Sequence, residues 1–131
     1  MKKTILQCLA IFSLFLVSCT KEETKTPTQL LQRKWIANSQ ELLGSTVTVS
    51  NGTYIKFNDA AAGTDYEGKN QTTGAFTYTL SETGTTLTID DHDSKGGGYG
   101  YTWTIEELNK TNLTISTNTV FGITRIKFTG E

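Results

Sequence analysis

The chain has little of what most site chemistry requires. Two Cys and one His among 131 residues give no basis for a zinc cluster or a disulfide framework. Charge of one sign is also missing. Twelve Lys and Arg face 13 Asp and Glu, for a net −1, so no strong electrostatic partner is implied and a basic nucleic-acid binder is excluded. One Pro with 12 Gly does not make a collagen-like chain. Charged residues at 19% and aromatics at 10% fit neither a disordered tail nor a coiled coil. The length holds one domain and is too short for two.

Catalytic signatures are absent in the same way. There is no Gly-x-Ser-x-Gly elbow, and His92 by itself cannot complete a triad. Gly96-Gly97-Gly98 is followed by neither Lys-Ser/Thr nor a helix, so it is not a phosphate loop. Glu106 and Glu107 are neighbours on a strand and point to opposite faces, which denies them a paired acid–base role. Asp90-Asp91-His92-Asp93 is the one cluster with metal-ligand residue types. It leads into Ser94-Lys95-Gly96-Gly97-Gly98 and lacks the alternating acids and downstream Glu of a hard-cation loop. It reads as a solvated hairpin loop. The expectation is no catalytic residue, no metal ligand and no cofactor.

Long apolar runs are missing except for one. Behind Met1-Lys2-Lys3, Ile5 to Val17 is broken only by Gln7, Cys8 and Ser13. Thirteen helical residues span about 20 Å, short of a roughly 30 Å hydrocarbon core. The run therefore reads as the core of a signal peptide. Its end, Leu16-Val17-Ser18-Cys19, resembles the bacterial lipoprotein lipobox. The resemblance implies that residues 1–18 are a removed signal peptide and that Cys19 takes a diacylglycerol on its thiol. Cleavage there leaves 113 residues with 10 basic and 13 acidic side chains, a charge of −3. Cys8 departs with the leader and Cys19 is consumed, so the mature chain has no free thiol.

At about 0.8 kcal/mol per buried methylene, two or three acyl chains anchor a protein essentially permanently. Residues 19–28 form the lipidated Cys and a polar tether. Lys21-Glu22-Glu23 resembles the short export tag of some Gram-negative surface lipoproteins, and ordinary linker charge explains it equally well. The expected location is the cell envelope of a Gram-negative bacterium, lipid-anchored in the outer membrane, facing the periplasm or the surface.

Residues 29–131 alternate. After one helical turn within Thr28–Lys34, with Leu30 and Leu31 packing inward, the period is two. Trp35, Ala37 and Ser39 open the first strand. Val47 and Val49 lead through Asn51-Gly52, a tight-turn dipeptide, into Ile55 and Phe57. Tyr66 lies in a weak strand between Gly63 and Lys69. Phe76, Tyr78 and Leu80 share a face opposite Thr77 and Thr79, and Glu82-Thr83-Gly84 turns the chain into Leu87 and Ile89. Tyr99, Tyr101, Trp103 and Ile105 form the longest stripe. Asn109-Lys110 turns it into Leu113 and Ile115. Ile126 and Phe128 point inward on the last strand, with Arg125 and Lys127 outward. Phe121 and Ile123 are out of phase with them, which predicts a bulge near Gly122. The sum is an all-β, antiparallel up-and-down meander of eight or nine strands, one face apolar and the other rich in Thr. Closure into a barrel removes its edges.

Several stretches resemble the small lipocalin-like domains of bacterial lipoproteins. Leu30-Leu31-Gln32-Arg33-Lys34-Trp35 is similar to their opening Leu-x-Gly-x-Trp. Phe76-Thr77-Tyr78-Thr79-Leu80, Leu87-Thr88-Ile89, Trp103-Thr104-Ile105-Glu106-Glu107-Leu108 and Leu113-Thr114-Ile115 follow the order of their middle strands. Arg125-Ile126-Lys127-Phe128 is similar to their closing strand. The resemblance implies a lipocalin-like barrel with Trp35 plugging the base and Arg125 or Lys127 lying over its ring. Arg33 stands where that family usually has Gly, a departure at the closed end.

Trp35, Phe57, Phe76, Tyr78, Tyr101, Trp103 and Phe128 are the expected barrel lining. An eight-stranded barrel is wide enough to be filled by side chains or to hold one small ligand, and this many rings favours filling. Tyr78, Tyr101 and Trp103 are the expected walls of any remaining cavity. The leading expectation is a monomeric, non-enzymatic envelope lipoprotein that binds a small hydrophobic ligand. The alternative is an interaction protein, a filled barrel whose loops contact an envelope or host protein.

Overall fold

A computed structural model describes residues 23–91 and 98–131. The expected signal peptide, Cys19, the first part of the tether (residues 19–22) and residues 92–97, with His92 and Asp93, lie outside the described residues. Thr26 caps the helix α1 (Pro27–Leu31): its hydroxyl accepts from Gln29 N–H, and the Gln29 side chain accepts from Thr26 N–H. This reciprocal box, with Pro in the first turn, sets a start for a helix too short to hold itself. Leu31 is then buried in the barrel core.

Nine antiparallel strands follow among the described residues: β1 (Lys34–Leu42), β2 (Ser45–Thr48), β3 (Tyr54–Phe57), β4 (Ala62–Glu67), β5 (Thr72–Leu80), β6 (Thr86–Asp90), β7 (Thr102–Leu108), β8 (Asn112–Thr119) and β9 (Gly122–Gly130). Pairing of β1 with β9 closes an eight-stranded barrel, and β2 is an additional strand. Two irregularities bend the wall: a register shift between Ala37 and Ser39 in β1–β9, and another between Ile105 and Glu107 in β7–β8.

β2 and β3 both lie along the same edge of β1. β2 pairs with residues 39–42 and β3 with residues 34–36. The hairpin reversal is thus at Leu43-Gly44, not at Asn51-Gly52. Asn51-Gly52 does form a tight turn, with Thr53 N–H donating to the Ser50 carbonyl at 3.2 Å. It is an excursion between two collinear strands, and Ala37 N–H donates to Thr53 carbonyl at 2.9 Å just past it.

The expected bulge near Gly122 is also corrected. Register in β8–β9 runs unbroken from Asn112↔Thr129 to Thr119↔Gly122. Val120 and Phe121 are the hairpin turn itself, which Gly122 leaves at φ +110°. Phe121 is out of phase because it belongs to no strand, and Ile123 because it faces outward with Arg125.

Period two holds within the strands. In β5, Gly74, Phe76 and Tyr78 are buried while Thr73, Ala75, Thr77 and Thr79 are exposed. β8 departs from the pattern: Thr114 and Ser116, on its outer face, are buried as well. A charge network lies over that face. Arg125 donates to Glu106 at 2.7 Å and to Glu41 at 2.7 Å. These bonds hold the Glu106 carboxyl below the usual carboxylate range, with a Ser116 hydrogen bond adding to the effect. They push the Arg125 guanidinium upward, Glu106 first and Glu41 second. On β4, Gly63 faces inward against the Phe76 ring. A side chain there would collide with that ring and with the Lys56 carbonyl.

Candidate functional site

The strands run between a closed end and an open end. At the closed end Trp35 is fully buried, and its indole Nε1 donates to the Leu31 carbonyl at 2.9 Å. The cation over its ring is Arg33, with Cζ 5.5 Å from the ring centroid. Arg33 also donates to the Lys110 carbonyl in the β7–β8 turn. Arg125 and Lys127 do not reach Trp35, because Thr124, Ile126 and Phe128 hold the inward positions of β9. The Arg that replaces the expected Gly therefore provides the stacking that the closing strand was expected to give.

Above Trp35 the barrel is solid. Phe57 packs edge-on against Phe76 and Tyr78, with ring centroids 5.6 and 4.8 Å away. The Tyr78 hydroxyl donates to the Asp59 carbonyl. Burial first, and the Asp59 charge second, push that hydroxyl up to about 12. Phe128 is buried 6.3 Å from the Tyr99 ring.

Toward the other end the side chains shrink. β9 presents Phe128, then Ile126, then Thr124; β5 presents Tyr78, Phe76 and Gly74. On β1, Trp35 gives way to Ala37, and on β8, Leu113 and Ile115 give way to Thr117. Strand geometry keeps the backbone diameter while the filling thins. The result is a cavity of about 700 Å³ open at this end. Ala37, Thr53, Tyr99, Trp103, Thr124 and Ile126 are among its lining residues, with Glu67 the one charged side chain among those described.

Of the seven expected lining residues, Trp35, Phe57, Phe76, Tyr78 and Phe128 fill the closed half, and Trp103 and Tyr101 border the cavity. Trp103 is buried and its Nε1 donates to the Tyr99 carbonyl at 2.9 Å. Tyr101 does not point inward as expected; it is 52% exposed. The chain makes a three-residue turn at Gly100, where Tyr101 N–H donates to the Tyr99 carbonyl at 2.7 Å. That inverse-γ-type closure breaks the period before β7 begins, and Tyr101 packs edge-on against Trp103 from the rim at 6.0 Å.

Sequence reasoning missed three features. Asp65 is 1% exposed on the inner face of β4, where Tyr66 drew attention because it is aromatic. Tyr66 stacks outside on Tyr54 at 5.6 Å. Tyr99 is buried, and its hydroxyl is pushed well up by burial first and then by the charges of Asp65 and Glu67. It stays a protonated donor across the physiological range.

The third feature is the rim. Among the described residues, Leu42, Leu43, Val47, Tyr101, Val120, Phe121 and Ile123 are the large apolar residues left exposed, and all sit at the open end. Leu43 and Gly44 both have positive φ, 54° and 77°, as a type I′ turn needs. A Leu in that conformation costs about 1–2 kcal/mol relative to Gly. The available signal was an apolar residue at turn positions that normally take Asn, Asp or Gly.

No family model matches the chain, and no curated protein matches it in sequence. Among solved structures, a lipocalin-like protein from Bacteroides uniformis matches with a TM-score of 0.55 at 17% identity, over 78% of this chain and 99% of that one. At that identity the likeness concerns the fold alone, and with the closed eight-stranded meander it makes this domain lipocalin-like in fold.

Proposed function

We propose that this is a lipid-anchored, non-catalytic envelope protein whose barrel binds one small apolar molecule at its open end. The observation that carries the binding is the cavity. Its volume of about 700 Å³ lies within the roughly 300–1,000 Å³ of ligand pockets. Trp103, Ile126 and Phe121 offer apolar contact, while Gln40, Thr53, Glu67, Tyr99 and Asn118 are among the polar side chains that would orient a ligand. A barrel filled throughout and acting only through its loops would have no such space.

The anchor rests on Leu16-Val17-Ser18-Cys19 and the apolar run before it. The placement in a Gram-negative outer membrane rests on Lys21-Glu22-Glu23, which resembles an export tag, and on the residue after Cys19 being Thr20 rather than Asp. The non-catalytic reading follows from the missing catalytic signatures.

Titration of the mature chain with a neutral apolar fluorophore should give saturable, one-to-one binding that quenches Trp103. Linear, unsaturable uptake would remove the binding reading. For the anchor, the mass of the N-terminal residue decides. Native protein should carry acyl chains on Cys19 that the Cys19→Ala variant lacks, and an unmodified Cys19 would remove the anchor.

A further inference from the structure

We propose that the open end docks on a lipid bilayer through two apolar hairpin tips, Leu42–Leu43 and Val120–Phe121, with Ile123 beside them. Val120 and Phe121 are 95% and 77% exposed. The tips adjoin each other: a Cβ at Gly122 would lie 2.9 Å from Leu43 Cδ2. An apolar patch on this scale marks a surface that meets something other than water.

Charge decides what that is. Neither residues 42–49 nor residues 117–124 contain a charged side chain. On these two hairpins charges begin at the next positions toward the closed end, Glu41 and Arg125, which pair at 2.7 Å; the β4–β5 turn elsewhere on the open end carries Glu67 and Lys69. Lys127 is 3.8 Å from Glu41, and Glu106 holds Arg125 from the other side. An apolar cap above a belt of both signs repeats the layering of a bilayer surface, acyl chains and then zwitterionic headgroups. From Phe121 to Arg125 the strand covers roughly 13 Å at ~3.3 Å per residue. Once tilted, that approaches the about 5–10 Å to which interfacial apolar faces sink.

The cavity shares this surface. Leu42, Leu43, Tyr101, Val120, Phe121 and Ile123 line it and are exposed at its mouth. Docking would turn the opening toward acyl chains, so that a ligand enters from the membrane without crossing water. Tether length allows this for an anchored chain. Residues 19–27 reach about 27 Å when extended. The nine residues of β1 rise about 23 Å at a barrel tilt of ~40°. A tether leaving the closed end therefore still lets the mouth reach the same bilayer.

Docking requires neither the anchor nor a ligand, so it can be measured without them. The core runs from Leu31 to Phe128; a chain beginning at Glu23 contains all of it, and cooperative urea unfolding of that chain is the entry condition for the test. That chain should co-float with phosphatidylcholine vesicles, and salt at about 0.5 M should not weaken it, because screening acts on charges and not on apolar insertion. The double variant Val120→Asp/Phe121→Asp should lose roughly tenfold or more in partitioning. Leu43→Asp should lose several-fold, while Thr83→Asp at the closed end should match the parent. Phe121→Trp should shift its emission to the blue when vesicles are added. Failure of the parent chain to co-float, or co-flotation indifferent to the Asp pair, overturns the proposal. A dimer dissolved by the Asp pair, in a protein that ignores vesicles, also overturns it and makes the tips a contact between copies.

Discussion

The two ends of this barrel are built from the same alternation and have opposite fates. At the closed end the inward positions carry rings and branched aliphatics, with Gly63 leaving room for Phe76, the turns are polar, and a helix and an Arg seal the base. At the open end the inward positions of β1, β5, β8 and β9 carry Ala37, Gly74, Thr117 and Thr124, and bulky apolar residues stand out on the Leu43 and Val120–Phe121 turns. Alternation alone therefore says which face is inside, but not whether the inside is full. That is decided by how side-chain volume changes along each strand. Apolar burial of about 25 cal/mol per Å² stabilises the closed half, while the open half leaves comparable side chains in water.

The largest expected contrast is in stability. Trp35→Ala empties the plug and removes the bond to Leu31, and should cost about 3–5 kcal/mol in urea unfolding. A loss under about 1 kcal/mol would mean that the base is not sealed by this ring. Arg33→Ala comes next. It removes the cation over Trp35 and the bond to Lys110, together about 1–2 kcal/mol. The loss is trimmed because the buried Arg33 Nε makes no hydrogen bond. Arg33→Gly should fall equally far. If it were neutral, the Arg would be an accident of sequence rather than the seal.

A smaller effect depends on pH. The Glu106 carboxyl is held below its ordinary 4.5 by Arg125 and Ser116. A depressed folded value means that its contribution is complete above about 4.5 and is lost as pH falls through the folded value. Stability measured at falling pH should drop in that acid window, and Glu106→Gln should flatten part of the drop. A Glu106→Gln curve parallel to that of the parent would leave the network without a role. The smallest stability effect belongs to the open end. Tyr101→Ala should stay within about 0.5 kcal/mol while weakening apolar-fluorophore binding several-fold. Tyr101→Ala as damaging as Trp35→Ala would erase the difference between the ends.

Most of the fold was legible, because period-two runs and turn residues are local signals. The β5–β6 and β8–β9 pairs follow directly from Phe76, Tyr78, Leu87, Ile126 and Phe128. Departures came where a local turn overrode the period: Gly100 set Tyr101 outside, and Val120–Phe121 closed a hairpin where a bulge was expected. Asn51-Gly52 formed its turn, but pairing along β1 determined that it was no hairpin. The site was only partly legible. Trp103 follows from the alternation, but the cavity does not, because the number of rings in the whole barrel says nothing of their height along it. Read by height, Phe128-Ile126-Thr124 and Trp35-Ala37 already describe a taper. Asp65 gave no signal, since a carboxylate on an inner face goes against the pattern that finds strands.

The central claim is that the barrel is filled around Trp35 and open around Trp103. Two variants, Trp35→Phe and Trp103→Phe, each leave one indole to report. Titrated with a quenching apolar ligand, the variant that retains Trp103 should lose its emission along a saturable curve. The variant that retains Trp35 should stay nearly unchanged. Equal quenching in both, or quenching of Trp35 alone, would contradict the account.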